Sequence, residues 1–176
     1  MKTLRKGFGD LEIDALLVTH PADIRYLTGF RGDDSHLVVG TNRAVVISDF
    51  RFEEELGAVG PEVAVHIYMR TGSITDADKE VVEGLKAGKV GIQAEHVSVA
   101  MRARLAKALG AKRLRDVTGV LSTQRMVKDA HEVKLIQRAV RVQEAALLAT
   151  LETIEPGQTE REVCARLEYE MKVGGA

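Results

Sequence analysis

Cysteine is almost absent. The chain of 176 residues holds one, Cys164. An internal disulfide framework is excluded, and so is a Cys-rich zinc module. This usage fits a reducing compartment, so a cytoplasmic location is expected. Aromatic residues make up only 4%, too few to build a stacking platform for nucleic-acid bases. Neither charge sign dominates: 25 basic and 26 acidic residues leave a net charge of −1, which gives no bulk attraction to a polyanion. No apolar run approaches the ~20 residues that cross a bilayer, and the N-terminal stretch MKTLRKGFGDLEIDALLV lacks the apolar core of a signal peptide. No membrane and no nucleic-acid partner are therefore expected. No glycine-rich loop ends in Lys-Ser or Lys-Thr, and no G-x-G-x-x-G follows a strand, so phosphate and dinucleotide cradles are also missing.

What is present is an ordinary globular composition, 45% hydrophobic and 29% charged. A domain near this length buries roughly 70% of its unfolded surface. Short β-favouring runs occur at 15–19 (ALLVT), 36–39, 43–48, 63–68 (VAVHIY), 89–93 and, more weakly, 114–117. Gly40-Thr41-Asn42 suits a hairpin between the second and third. Helical spacing fills the gaps. A short helix opens at Pro21 and closes by Thr28; another covers 75–86; a third runs from Val97 through Met101, Leu105 and Leu109 to Gly110. Strand alternating with helix predicts an α/β layer structure, and the hairpin predicts a mixed sheet.

After about Ser122 the pattern changes. Asp129 with Glu132 has capping-box spacing, and Val133, Ile136, Val140, Leu147, Leu151 and Ile154 follow at helical intervals. A helix ending before Pro156 would be roughly 39 Å long. Thr159 with Glu162 repeats the capping box, ahead of Val163, Leu167 and Met171. The division expected is an α/β domain over 1–124 and a helical segment over 125–176. Each large apolar side chain gains ~1.5–3 kcal/mol on burial. Six on one helix rival a domain's net stability of ~5–15 kcal/mol, so this face is expected to be covered, either by the α/β domain or by a second chain.

Chemistry is harder to find. His131-Glu132 begins like a zinc-protease helix, but the second histidine belongs at 135, where Leu135 stands. His20, His36, His66 and His96 each read as isolated, with no ligand-like spacing. Glu53-Glu54-Glu55 reads as a solvated face. The stretch 101–128 carries eight basic residues against Asp116 alone, and without aromatics it reads as a solvated helix face or interface rim. Asp33-Asp34 is more notable, because it follows Gly29 and Gly32 in a loop where special backbone angles and exposure are expected.

Five segments in order carry a resemblance. They are 13–32 (IDALLVTHPADIRYLTGFRG), 47–52 (ISDFRF), 90–98 (VGIQAEHVS), 125–139 (RMVKDAHEVKLIQRA) and 154–168, with its I-x-P-G-x-T-E opening. Together they resemble the creatinase/prolidase/aminopeptidase P family, the pita-bread metallohydrolases, and within it the Xaa-Pro dipeptidases and aminopeptidases. The resemblance implies a creatinase-type N-terminal domain with a mixed sheet flanked by helices, then the first two helices of the catalytic domain.

It further implies two divalent cations (Mn, Co or Zn) bound by two Asp, one His and two Glu of the longer enzyme. All of those would lie beyond Ala176, so neither metal ligands nor catalytic residues are assigned in this chain, and the chain is expected to be inactive alone. The family's N-terminal domain builds a homo-oligomer, so a dimer is expected. Its loop after YLTGF reaches the neighbouring subunit's active site, here Phe30, Arg31, Asp33, Asp34 and His36. By residue type, Arg31 suits a substrate carboxylate, and Asp33 or Asp34 a free amino group of a proline-containing peptide. Two alternatives share the signature: a non-catalytic peptide- or protein-binding module, and a creatinase-like amidinohydrolase.

Overall fold

The computed structural model describes residues 1–68 and 72–176. By contact it divides into two units, Met1–Gln124 and Arg125–Ala176.

The first unit is built on a six-stranded mixed sheet. In chain order its elements are α1 (Lys2–Lys6), β1 (Ala15–Val18), α2 (Pro21–Thr28), β2 (His36–Gly40), β3 (Ala44–Asp49), α3 (Glu53–Leu56), β4 (Val63–Tyr68), α4 (Ile74–Gly84), β5 (Val90–Gln93), α5 (Val99–Leu105), β6 (Leu114–Val117) and α6 (Val120–Met126). The strand order is β4-β3-β2-β1-β5-β6. β2 pairs antiparallel with both β1 and β3, and every other pairing is parallel. Five strands thus end on one rim, and β2 begins there.

Strand alternation sends side chains to two cores. Leu16 and Val18 of β1, Leu37 and Val39 of β2 and Val46 of β3 meet Ile24, Phe30, Leu56 and Leu121 on one face. Ala15, Leu17, Val38, Ile47, Val90 and Ile92 meet Val81 and Val82 of α4, with Leu105 and Leu109, on the other. A sheet covered on both faces explains why β1 and β2 are apolar at nearly every position rather than alternating.

The strands fall close to their sequence boundaries, because local β-preference and glycine punctuation agree with the tertiary fold. The helix expected from Val97 starts at Val99, with Ser98 accepting from the amide of Met101, and continues past Leu105 as a wider π turn over Ala106–Gly110. α1 and α6 have no counterpart in the sequence reading. They are short, and the packing of Leu4 and Leu121 on the sheet stabilises them rather than propensity.

The second unit holds α7 (Ala130–Leu151) and α8 (Glu160–Val173). Both expected capping boxes form: Asp129 with Glu132, and Thr159 with Glu162. α7 is shorter than expected, with 22 residues, roughly 33 Å. It stops at Leu151 because local side chains satisfy the chain differently beyond it. The Thr153 hydroxyl donates to the Thr150 carbonyl, and the Gln158 amide donates to the Thr153 carbonyl while its oxygen accepts from the amide of Glu155. Val133, Ile136, Val140, Leu147, Leu151 and Ile154 remain between 41% and 53% exposed. Among the described residues, no helix is long and apolar enough to cross a membrane.

Candidate functional site

The rim where five strands end carries most of the polar chemistry of the first unit. Open α/β sheets bind ligands outside the carboxyl ends of their strands. Here a crevice of about 470 Å³ opens there, lined among others by Thr19, His36, Arg51, Tyr68, His96 and Arg104.

His36, the first residue of β2, sits at this rim because its strand runs against its neighbours. Its Nδ1 lies 3.0 Å from both carboxylate oxygens of Asp78 on α4. Both side chains are buried. Burial pushes the Asp78 carboxyl above its ordinary range, and the hydrogen bond and charge of His36 offset part of that rise.

Beside it, Asp49 ends β3 and caps the turn that follows by accepting from the amide of Arg51 at 2.9 Å. The Arg51 guanidinium also forks onto Asp49, Nη2 reaching Oδ2 at 2.7 Å and Nε reaching both oxygens at 3.0 Å. Those hydrogen bonds hold the Asp49 carboxyl below the usual carboxylate range and raise Arg51. Asp34 lies 3.5 Å from the same guanidinium. At the end of β4, burial pushes the Tyr68 phenol up, and the charge of Asp49 adds to the effect.

A third group occupies the ends of β1 and β5. His20 occupies the N-cap position of α2 without a side-chain capping bond, and Asp23 stands in the first turn, 2% exposed. Gln93 closes β5. Its amide donates to Asp23 at 2.7 Å, and its oxygen accepts from the amides of Thr19 and His20. His96, just beyond β5, stacks on His20 with ring centres 3.9 Å apart and planes 3° from parallel. The sequence reading took these histidines as isolated. That view is corrected here: β1 and β5 are parallel neighbours, which brings residues far apart in the chain to one place.

The loop residues singled out from sequence do not share one environment. Arg31, Asp33 and Asp34 are exposed. Phe30 is 2% exposed, and its ring meets Phe52 edge-on at 5.8 Å; its side chain anchors the loop in the core. The amide of Arg31 donates to Glu55 at 2.9 Å, so one member of the acidic run holds this loop. Gly29 caps α2 at φ 79°, a left-handed conformation that glycine adopts without strain. Gly32 is needed for space, since a Cβ there would strike the rings of Phe30 and Phe52. Asp34 adopts φ 49°, which aspartate tolerates better than most residues. Of the five, Asp34 and His36 line the crevice.

Sequence reasoning missed Asp23, Asp78, Gln93 and Arg104; Asp23 and Gln93 stood inside the segments 13–32 and 90–98, but no spacing in the chain brings the two together. The Asp49-x-Arg51 pair was visible as the end of its strand. His66 lies 3.5 Å from Glu80, and within the basic stretch Arg102 forks onto Asp116; both fit the bland roles expected.

The chain is similar to known proteins along its whole length. The uncharacterized peptidase YqhT of Bacillus subtilis is 28% identical over 178 residues, covering 100% of this chain and 49% of the relative. An Xaa-Pro dipeptidase of Pyrococcus horikoshii is 26% identical over 164 residues, covering 93% of this chain and 45% of the relative. The solved Xaa-Pro dipeptidase from Bacillus anthracis superposes with a TM-score of 0.86 at 29% identity, covering 99% of this chain and 48% of that one. The chain therefore spans about half the length of the relatives it matches. The Creatinase/Prolidase N-terminal domain family matches residues 1–127, and the chain belongs to that family.

Proposed function

We propose that this chain is the N-terminal, oligomerisation and substrate-access portion of a metal-dependent Xaa-Pro dipeptidase or aminopeptidase. One observation carries the reading: dipeptidases match this chain end to end, yet the match fills only about half of their length. On this reading residues 1–124 form the N-terminal domain, and residues 125–176 supply the first helices of the catalytic domain. The exposed apolar face of α7 then awaits further protein.

The reaction implied is hydrolysis of a peptide bond before proline, assisted by two divalent cations (Mn, Co or Zn). The described residues do not fit such a dinuclear centre. The one grouping of three donor side chains among them, His20, Asp23 and His96, offers a single carboxylate. Two bridged cations need several carboxylates converging from separate segments. No step of hydrolysis is therefore assigned to this chain.

Its contribution would be substrate access in trans, within a homodimer in the cytoplasm. Arg31 is exposed and free to pair with a peptide carboxylate, and Asp33 or Asp34 with an amino group. His36, fixed by Asp78, lines the crevice. Phe30 and Gly32 hold the loop in shape from beneath.

The test has two arms. The chain alone, given Mn²⁺ or Co²⁺ and an Xaa-Pro dipeptide, is expected to show no turnover; clear turnover by the pure chain would refute the reading. In the longer protein, Arg31→Ala is expected to lower dipeptide kcat/KM, and an unchanged value would remove the role given to this loop.

A further inference from the structure

The sharpest unexplained feature is the buried polar knot between the ends of β1 and β5. The Nδ1 of His20 is shielded from solvent and makes no hydrogen bond, although it lies 3.3 Å from the Asp23 carboxylate. The neighbouring Thr19 hydroxyl is likewise buried without a hydrogen bond. Buried polar atoms without partners are costly and call for an explanation. The Nε2 of His96 stands 4.0 Å from the same Asp23 oxygen. Donor atoms of the three side chains all lie within 4.8 Å of one another.

We propose that His20, Asp23 and His96 form a mononuclear site for a borderline divalent cation of the Zn²⁺ class. Two imidazoles and a carboxylate suit that class better than Mg²⁺ or Ca²⁺, which prefer all-oxygen shells. Four-coordinate zinc has ligand bonds of about 2.0–2.2 Å, so its donors sit about 3.3–3.5 Å apart. The His20–Asp23 separation of 3.3 Å already meets this. The His96 gap is wider, and His96, an exposed residue just beyond β5, is the one that must move, whereas His20 is anchored through its backbone amide on Gln93.

The stacked rings set a condition. A cation binds in the plane of an imidazole, and two parallel rings cannot share one in-plane ion. Binding must therefore swing His96 out of the stack, while His20 and Asp23 stay in place. Gln93 makes the fixed half rigid: one side-chain amide holds the Asp23 carboxylate and the backbone of Thr19 and His20 together. Such outer partners orient ligands in protein metal sites. Three protein ligands leave one position for water or a small anion. Thr19 and His96 line the crevice, which places the site at its edge.

The test is metal titration of the whole chain after treatment with a chelator. Co²⁺ is followed by its visible absorption, and Zn²⁺ by competition with a chromogenic chelator. One equivalent per chain is expected, with the intense absorption of four-coordinate Co²⁺ and a shift of the His20 and His96 ring resonances in proton NMR. Gln93→Leu should weaken binding ~10–100-fold, the usual cost of losing an outer partner. His96→Gln and Asp23→Asn should weaken it further, whereas Cys164→Ser and His131→Gln, on exposed side chains, should leave it unchanged. His96→Gln is the deciding variant, because its partly exposed site lets the chain fold, which circular dichroism verifies. Wild-type binding that survives His96→Gln undiminished, a stoichiometry that follows Cys164 or His131, or no binding at all would each overturn the proposal.

Discussion

The Nδ1 of His36 sits midway between the two oxygens of Asp78, 3.0 Å from each, with 6% and 0% of the two residues exposed. The pair ties β2 to α4 across one face of the sheet. Asp78→Ala leaves a buried ring nitrogen without a partner, which costs about 1–3 kcal/mol. Urea denaturation of the chain checks this; a midpoint unchanged from wild type would show that the pair is dispensable to the fold.

Asp49 gives the pH prediction. Its folded carboxyl is depressed by Arg51. The stability it contributes is present above the ordinary aspartate value of ~3.9 and is lost as pH falls through the depressed value. Arg51→Ala should raise the Asp49 titration midpoint, read from its side-chain carbon shift, and flatten that acid limb. The change in stability should be small, because Arg51 is 53% exposed and solvent screens the pair. An unmoved midpoint would contradict the assignment.

Gly32 gives a packing prediction. Gly32→Ala forces the Phe30 and Phe52 rings aside and should cost about 1–3 kcal/mol, as overpacking does. Combined with Phe30→Leu, the loss should fall short of the sum of the two single changes, because they share one space. Strict additivity would place the clash elsewhere.

The caps of the second unit can be tested by themselves. Asp129→Ala and Thr159→Ala should each weaken their own helix by about 1 kcal/mol. Amide exchange would show this locally, with loss of protection confined to the first turn of α7 in one variant and of α8 in the other. Loss spread over the sheet would be the wrong outcome.

The apolar face of α7 gives a prediction about assembly. Light scattering should find the chain larger than a monomer, and Ile136→Glu should shift it toward monomer. A strict monomer at high concentration would count against a dimer held through that face.

Much of this fold could be read from the sequence because its signals are local. The capping boxes at Asp129 and Thr159 need only four consecutive residues. The β2–β3 hairpin needs only the punctuation at Gly40. The crevice was less legible. His20 and His96 meet only because β1 and β5 are neighbours, and His36 meets Asp78 only because α4 crosses β2. No spacing rule spans such distances; a sheet order is required first. Phe30 shows the reverse error, since its loop position drew attention while its apolar ring was bound for the core.

β2 runs against the other five strands of the sheet, so the turn leaving it points away from the crevice. Thr41 and Asn42, exposed at that turn, lie on the far rim. A fluorophore, epitope or affinity handle spliced between them would report on the domain without crowding the mouth of the cleft, making this the natural attachment point for labelling studies.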